Sequence, residues 1–120
     1  MQVQKIELTG LGFGGDFAAE ESYKTLLSNI QFCGGDVKLI SITSCFPNEG
    51  KTTISIELSR ELAEAGKKVL LIDADMRNSR VVQKHTRAKG IKGLSQLLSG
   101  QISLTEALYE TQYKGFFVIF

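Results

Sequence analysis

The chain has 120 residues, enough for one ordinary domain and not for two. Apolar residues make up 42% and charged residues 22%, which marks a globular chain and excludes disorder. Fourteen Lys and Arg against thirteen Asp and Glu leave +1, too little to hold nucleic acid by bulk charge, so no nucleic-acid partner is expected.

Residues 1–15 read as a flexible lead, because Gly10, Gly12, Gly14 and Gly15 crowd it. Gly12 to Asp16 superficially suits a phosphate loop, but no strand precedes it and no Lys follows. Asp16 can cap a helix that runs to about Phe32, with Tyr23, Leu26, Leu27 and Ile30 gathered on one face and Tyr23 expected in the core. Gly34-Gly35-Asp36 breaks the chain, and Val37 to Thr43 is predicted as a strand. A polar loop from Ser44 to Gly50 leads into a second helix, marked by Ile54, Leu58 and Leu62 and ended by Gly66. Val69-Leu70-Leu71-Ile72 is predicted as a strand apolar on both faces, the pattern of a strand between two helical layers. A basic loop follows, then a short helix at Leu94 to Leu98 between Gly93 and Gly100. Ser103-Leu104-Thr105-Glu106 is a capping-box signature that opens another helix. Gly115 ends that connection, and Phe116 to Phe120 is a third apolar strand.

Strands alternating with helices predict an α/β fold, a parallel sheet with helices on both faces. The chain stops inside its last strand, so residues 16–120 read as the front part of a larger domain. Cys33 and Cys45 are too few for a disulfide scaffold, and their spacing fits no zinc pattern. With no apolar run near the length of a membrane span and no signal peptide, a cytoplasmic setting is expected, with docking on a membrane protein left open.

Ile42-Thr43-Ser44-Cys45-Phe46-Pro47-Asn48-Glu49-Gly50-Lys51-Thr52-Thr53 is the most informative stretch. It runs from strand to loop to helix, and each residue type suits a bound polyphosphate. Gly50 lets the main chain approach a phosphate closely, and the N–H groups of the first helical turn point at the anion. Lys51 reaches the terminal phosphates, and the Thr52 hydroxyl can ligate the Mg²⁺ that travels with the nucleotide. Pro47, Asn48, Glu49 and Thr53 complete the binding segment. The usual pattern has Gly five places before Gly50, where this chain has Cys45, so the loop takes another path that Pro47 can fix. A phosphatase-type role for Cys45 needs Arg six places on; Lys51 stands there and lacks the two-pronged grip, which leaves Cys45 as a small filler.

Asp73-Ala74-Asp75-Met76-Arg77 follows the second apolar strand. Ligands of open α/β sheets bind at the carboxyl ends of strands, so Asp73 and Asp75 arrive at the same edge as the phosphate loop. The pair can hold Mg²⁺ directly or through water, and one of them can accept a hydroxyl proton. Arg77 suits either a phosphate contact or an ion pair with one of the two acids. The stretch from Met76 to Lys92 carries Arg77, Arg80, Lys84, Arg87, Lys89 and Lys92 and no acid. It reads as a solvated surface or a docking strip for an acidic partner. His85, within it, has no second metal ligand nearby and reads as a surface residue.

With both motifs in hand, the sequence resembles the bacterial tyrosine kinases of capsule and exopolysaccharide synthesis, in the P-loop superfamily of partition and cell-division ATPases. The residues that carry the resemblance are Pro47 to Thr53 and the run into Asp73-Ala74-Asp75-Met76-Arg77. Support comes from Glu21-Ser22-Tyr23-Lys24, Asn29-Ile30-Gln31-Phe32 and Gly93-Leu94-Ser95 to Leu98-Ser99-Gly100. The resemblance spans about Ala19 to Phe120 and roughly the first half of that family's catalytic domain. It implies ATP and Mg²⁺, autophosphorylation on tyrosine, a membrane-embedded activator and assembly into a ring. Carried over residue by residue, Lys51 holds the phosphates, Thr52 and Asp75 hold the metal, and Asp73 sits beside the metal and helps activate the tyrosine hydroxyl. The start at Met1 resembles the split form, in which kinase and activator are separate chains.

This chain also departs from the family. The first-helix signature of ring assembly reads Glu21-x-x-Lys24-x-x-Leu27, without its second cation and with Lys24 in place of an Arg fork. Ser79 stands where the family has proline. A further metal-binding strand and a tyrosine-rich tail fall beyond Phe120. Two other readings remain: a partition-type ATPase, which would carry a second Lys where Phe46 stands, and a nucleotide-gated adaptor without phosphoryl transfer.

Overall fold

The computed structural model describes residues 3–11, 17–33, 38–42, 51–74, 86–87 and 90–120. The elements in chain order are β1 (Gln4–Lys5), α1 (Phe17–Phe32), α2 (Lys51–Glu64), β2 (Val69–Ile72), α3 (Leu94–Leu98), α4 (Leu104–Ala107), β3 (Leu108–Glu110) and β4 (Phe116–Ile119). Together the strands form a four-stranded sheet in the order β1-β3-β4-β2.

Strand β4 is the centre. It pairs in parallel with β2, Val69 opposite Phe116 through Ile72 opposite Ile119, as the alternation of strands and helices predicts. On its other side it pairs antiparallel with β3, Leu108 opposite Ile119. β3 in turn pairs in parallel with β1. The sheet is therefore mixed, which corrects the expectation of an all-parallel one. The expected helix after Ser103 is also shorter. Its capping box forms, with the Ser103 hydroxyl accepting the Glu106 N–H at 3.3 Å and Glu106 Oε1 accepting the Ser103 N–H at 3.2 Å. Yet Leu108 already has extended backbone, because Leu108 and Tyr109 pack on opposite faces of the sheet beside β4.

Alternate residues of β4 serve two layers. Phe116, Val118 and Phe120 join Ile6, Leu8, Ile56 and Ala63 in the larger core, on the face that α2 covers. Ile119 joins Ile102 and Ala107 on the other face, beneath α3 and α4. Helices thus cover both faces of β4, as expected. At β2, among the described residues, Val69 and Leu71 pack against the larger core, whereas Leu70 and Ile72 are each 48% exposed. That corrects the reading of β2 as buried on both sides.

Two other expectations are corrected. Residues 4 and 5, inside the expected flexible lead, lie in the sheet, and Ile6 and Leu8 are buried. Gln112 holds this segment in place by mimicking a strand: its Oε1 accepts the Leu8 N–H at 2.9 Å, and its Nε2 donates to the Leu8 carbonyl at 2.6 Å. The predicted strand at Val37 to Thr43 is not found in residues 38–42, where Leu39 is almost fully exposed. Both edges of β4 are taken, by β2 and β3, so this apolar segment has no place beside the central strand.

Helix α1 is built from strong helix formers such as Ala18, Ala19, Glu20, Lys24 and Leu27. Ser22 and Thr25 donate their hydroxyls to the carbonyls of Ala18 and Glu21, one turn back. Tyr23, Leu27 and Ile30 form the half-buried stripe the spacing predicts, but no residue of α1 is fully buried, Leu26 is exposed, and Tyr23 is not core. Helix α2 presents Ile56 and Ala63, two turns apart, to the sheet. Leu58 is buried, Leu62 half-buried and Ile54 exposed, so the predicted four-residue repeat marks only part of its covered surface. Gly66, at φ 91°, ends α2: its N–H donates to Ala63 and the Lys67 N–H to Leu62, a Schellman closure.

Helix α2 also carries a buried charged cluster. Glu57 and Glu61 are buried, at 3% and 5% exposure. Arg60 donates to Glu57 at 3.1 and 3.2 Å and to Glu64 at 2.7 Å, and lies 3.7 Å from Glu61. Burial works against the guanidinium charge, but the hydrogen bond and charge of Glu57, with Glu64 and Glu61, prevail and raise its pKa. Burial first, and Glu57 second, push the Tyr23 hydroxyl upward as well. Glu61 is held above the ordinary carboxylate value by burial and then by the charge of Glu64, against the pull of Arg60 and Lys24.

Replacing Gln112 by Ala strips both partners from the buried Leu8 main chain, and the expected loss is about 1–3 kcal/mol in urea unfolding. A carboxyl whose pKa is raised by folding stabilises the fold when protonated, and that contribution fades as pH rises from the unfolded value of 4.5 through the folded one. Glu61→Gln is therefore expected to be more stable than the parent at neutral pH and to flatten the acid side of its pH–stability curve.

Candidate nucleotide site at one edge of the sheet

Helix α2 joins β2 through the short turn at residues 65–68 and packs against it, so the two run in opposite directions. The first turn of α2, opening at Lys51, therefore lies toward the carboxyl end of β2. The chain leaves β2 at Asp73, which is half-buried and whose N–H donates to the Ile119 carbonyl at 2.9 Å. This bond continues the β2–β4 ladder by one residue and fixes where the Asp73 Cα stands. The fold thus brings the start of the Gly-Lys-Thr helix and the first acid of the second motif to one edge, where α/β sheets bind ligands.

A third element closes on that edge. The Phe120 carbonyl, at the end of β4, accepts the Leu94 N–H at 2.5 Å. Gly93 is buried beside it, and a Cβ on Gly93 would stand 1.9 Å from the Phe120 oxygen. Gln96 reaches back to accept the Gly93 N–H at 2.8 Å, closing the first turn of α3. Sequence reasoning noted Gly93 as part of a motif but missed this role. The signal for it is a glycine immediately before a helix with Gln three places on, the capping-box spacing.

Of the other predicted site residues, Thr53 is exposed on the first turn of α2, and Thr52 lies in the same turn. Pro47, Asn48, Glu49, Gly50, Asp75 and Arg77 lie outside the described residues. So do Cys45, His85 and the glycines at 12, 14 and 15. Glu21 and Lys24 are exposed on α1, where Lys24 pairs with Glu20 at 3.4 Å. Among the described residues no group of three acidic, His or Cys side chains is poised around one point.

A shallow cavity of about 300 Å³, lined by Lys5, Ile6, Glu7, Thr9, Thr86 and Arg87, lies elsewhere. β1 runs antiparallel to β2 and β4, so the residues past its end lie toward the opposite edge of the sheet from Asp73. Its mixed charges give no anion site, and it is not the place where the motif residues meet.

The α/β sheet, with a Gly-Lys-Thr helix opposed to an apolar strand that ends in Asp73, defines a P-loop class of fold. A model of the AAA domain matches residues 37–120, and the chain belongs to that family. The chain is similar to tyrosine-protein kinase CpsD of Streptococcus pneumoniae, 45% identical over 101 residues that make up 84% of this chain and 44% of the kinase. It is similar to tyrosine-protein kinase YwqD of Bacillus subtilis, 39% identical over 98 residues, 78% of this chain and 40% of that one. Among solved structures it matches the BceF tyrosine kinase domain with a TM-score of 0.72 and 38% identity, over 82% of this chain and 39% of that domain. The chimerical protein CapA2B2 matches with a TM-score of 0.74 and 25% identity, over 97% and 54%. The likeness to bacterial tyrosine kinases read from the motifs is borne out, and use of ATP comes with this family. The chain spans less than half the length of the curated relatives it matches. No helix among the described residues is long and apolar enough to cross a membrane.

Gly93→Ala drives a methyl group into the Phe120 carbonyl, where both groups are main chain and neither can swing aside. The expected cost is about 1–3 kcal/mol of stability, read as a lower urea midpoint.

Proposed function

We propose that this chain is the nucleotide-binding part of an ATP-dependent, autophosphorylating protein-tyrosine kinase that regulates capsular or exopolysaccharide synthesis. The observation that carries the reading is the common edge shared by the start of α2 at Lys51 and the end of β2 at Asp73. The similarity to CpsD and YwqD supports it. On this reading residues 16–120 are the front of a P-loop kinase domain. Residues 47–53 form the phosphate-binding segment, and Lys51 neutralises the terminal phosphates. Arg77 adds a second cation.

Mg²⁺ fits the donors: Thr52, Asp73 and Asp75 offer hydroxyl and carboxylate oxygens, the hard ligands this ion prefers. Bound there, the ion would offset charge on the phosphates. On this reading Asp73, whose main chain is held at the strand end, sits beside the metal and helps to activate the incoming tyrosine hydroxyl. Activation by a membrane-embedded partner, a setting at the inner face of the membrane, and ring assembly through Glu21 and Lys24 belong to the same proposal.

Lys51→Met is the test. Its position at the first residue of α2, a turn before the buried Ile56, makes loss of the fold unexpected. Loss of one charge-assisted contact to phosphate is expected to weaken ATP binding about 10- to 100-fold in a titration. Unchanged affinity would sink the loop assignment. Incubation with labelled ATP distinguishes the activity classes: phosphotyrosine supports a kinase, and release of phosphate alone supports a partition-type ATPase. Binding with neither supports an adaptor.

A further inference from the structure

Three carboxyl groups of α2 converge on one guanidinium, and they are not served alike. Arg60 donates from Nε and one terminal nitrogen to Glu57, at 3.2 and 3.1 Å, and from the other terminal nitrogen to Glu64 at 2.7 Å. Glu61 stands 3.7 Å from the guanidinium, beyond hydrogen-bond reach of it, although its side chain is only 6% exposed. The Glu64 side chain is half in solvent, where water relieves its charge. Glu61 is therefore the carboxyl of this cluster that gains most from holding a proton.

The same carboxyl faces a second helix. Lys24 of α1 draws Glu61 toward ionisation and Glu20 of α1 opposes it, and these two are themselves paired at 3.4 Å. Glu57 acts in turn on the Tyr23 hydroxyl of α1. On the remaining sides, the Tyr113 ring of the β3–β4 connection lies against Arg60, and β2 and β4 meet α2 through the apolar side chains of the larger core. Around Glu61, counting itself, the four acids Glu20, Glu57, Glu61 and Glu64 thus stand against the two cations Lys24 and Arg60. Ionised Glu61 enlarges that excess of negative charge, and a proton on it lessens the excess.

Helix α1 is the element able to respond. Its 16 residues are close to the length at which a lone helix is marginal in water, so its order depends on packing. That packing comes from the half-buried stripe of Tyr23, Leu27 and Ile30. We propose that Glu61 is a proton-operated latch between the two helices: α1 packs firmly on α2 when this carboxyl is protonated and loosens when it ionises. Lys24 and Glu20 lie near enough to shift Glu61, so α1 belongs to its cover, and undocking returns the carboxyl toward its ordinary behaviour in water. Docking then takes up a proton and strengthens as pH falls toward the carboxylate range. The inference stands on the packing of two helices and does not depend on the kinase reading. Its consequence is that pH sets how firmly Glu21 and Lys24, both on α1, are held in place.

Hydrogen exchange of the chain, read by residue and corrected for the chemical rate at each pH, tests it. Protection of the α1 amides is expected to rise about threefold or more from about pH 7.5 to about pH 5. In Glu61→Gln, which keeps the shape without the charge, α1 is expected to be as protected at the higher pH as the parent is at the lower. If that variant does not fold, Lys24→Gln serves: it removes, at an exposed position, a cation that favours the ionised carboxyl, and is expected to move the rise to higher pH. Protection of α1 that is flat with pH in the parent overturns the proposal. So does a rise confined to the β4 amides, which would tie Glu61 to global unfolding alone, or a response of α1 that a folded variant leaves unchanged.

Discussion

The parallel pairing of β2 with β4 is the constraint on which the rest depends. Its last bond, from the Asp73 N–H to the Ile119 carbonyl, ends both strands at one level. Because α2 returns against β2 through a turn of only a few residues, the level of β2 also sets where the first turn of α2 stands. Slip of β2 by one residue would turn Val69 and Leu71 from the covered face to the open one and carry Asp73 off the edge. The apolar side chains that hold the register and the first acid of the second motif are therefore one consecutive stretch of chain.

Strand β4 explains why the sheet is mixed. Its alternate residues feed two cores, one with α2 and one with α3 and α4, so it is buried on both faces and needs partners at both edges. β2 supplies one edge in parallel. The other is taken by β3, from which the chain reaches β4 by a connection of five residues after Glu110, a length that suits an antiparallel return and not a crossover. Gly115 makes the close of that turn possible: it has φ 82°, and a Cβ there would lie 2.9 Å from the Lys67 carbonyl. With both edges filled, residues 38–42 have no slot beside β4.

What the sequence made legible follows from these causes. Elements whose signal is local were read well: Ser103 with Glu106, Gly66 after α2, and the run Val69 to Ile72 each carry their own physics within a few residues. β3 was missed because Leu108-Tyr109-Glu110 has no strand signal of its own and becomes one only when β4 is beside it. The strand pairing of Gln4–Lys5 was missed for a similar reason. The glycines that follow it suggest freedom, whereas Gln112, more than a hundred residues later, supplies the bonds that hold Leu8. For the site, the motif spacing points to the edge at which α2 begins and β2 ends. The packing of Gly93 against Phe120 is a contact between main chains, which leaves little trace in side-chain pattern.

The charged cluster on α2 is a further constraint on how that helix sits. A buried ion cluster seldom adds net stability, because desolvation offsets most of the attraction. Its geometry does something else. Arg60 grips Glu57, Glu61 and Glu64 along one side of α2, and its guanidinium lies 5.9 Å from the centre of the Tyr113 ring, in the β3–β4 connection. Tyr113 itself stacks near Phe116, the first residue of β4. Rotation of α2 about its axis would carry its internal ion pairs along unchanged but would draw the Arg60 guanidinium off the Tyr113 ring. An arginine in the middle of α2 thus ties the helix to the start of the central strand.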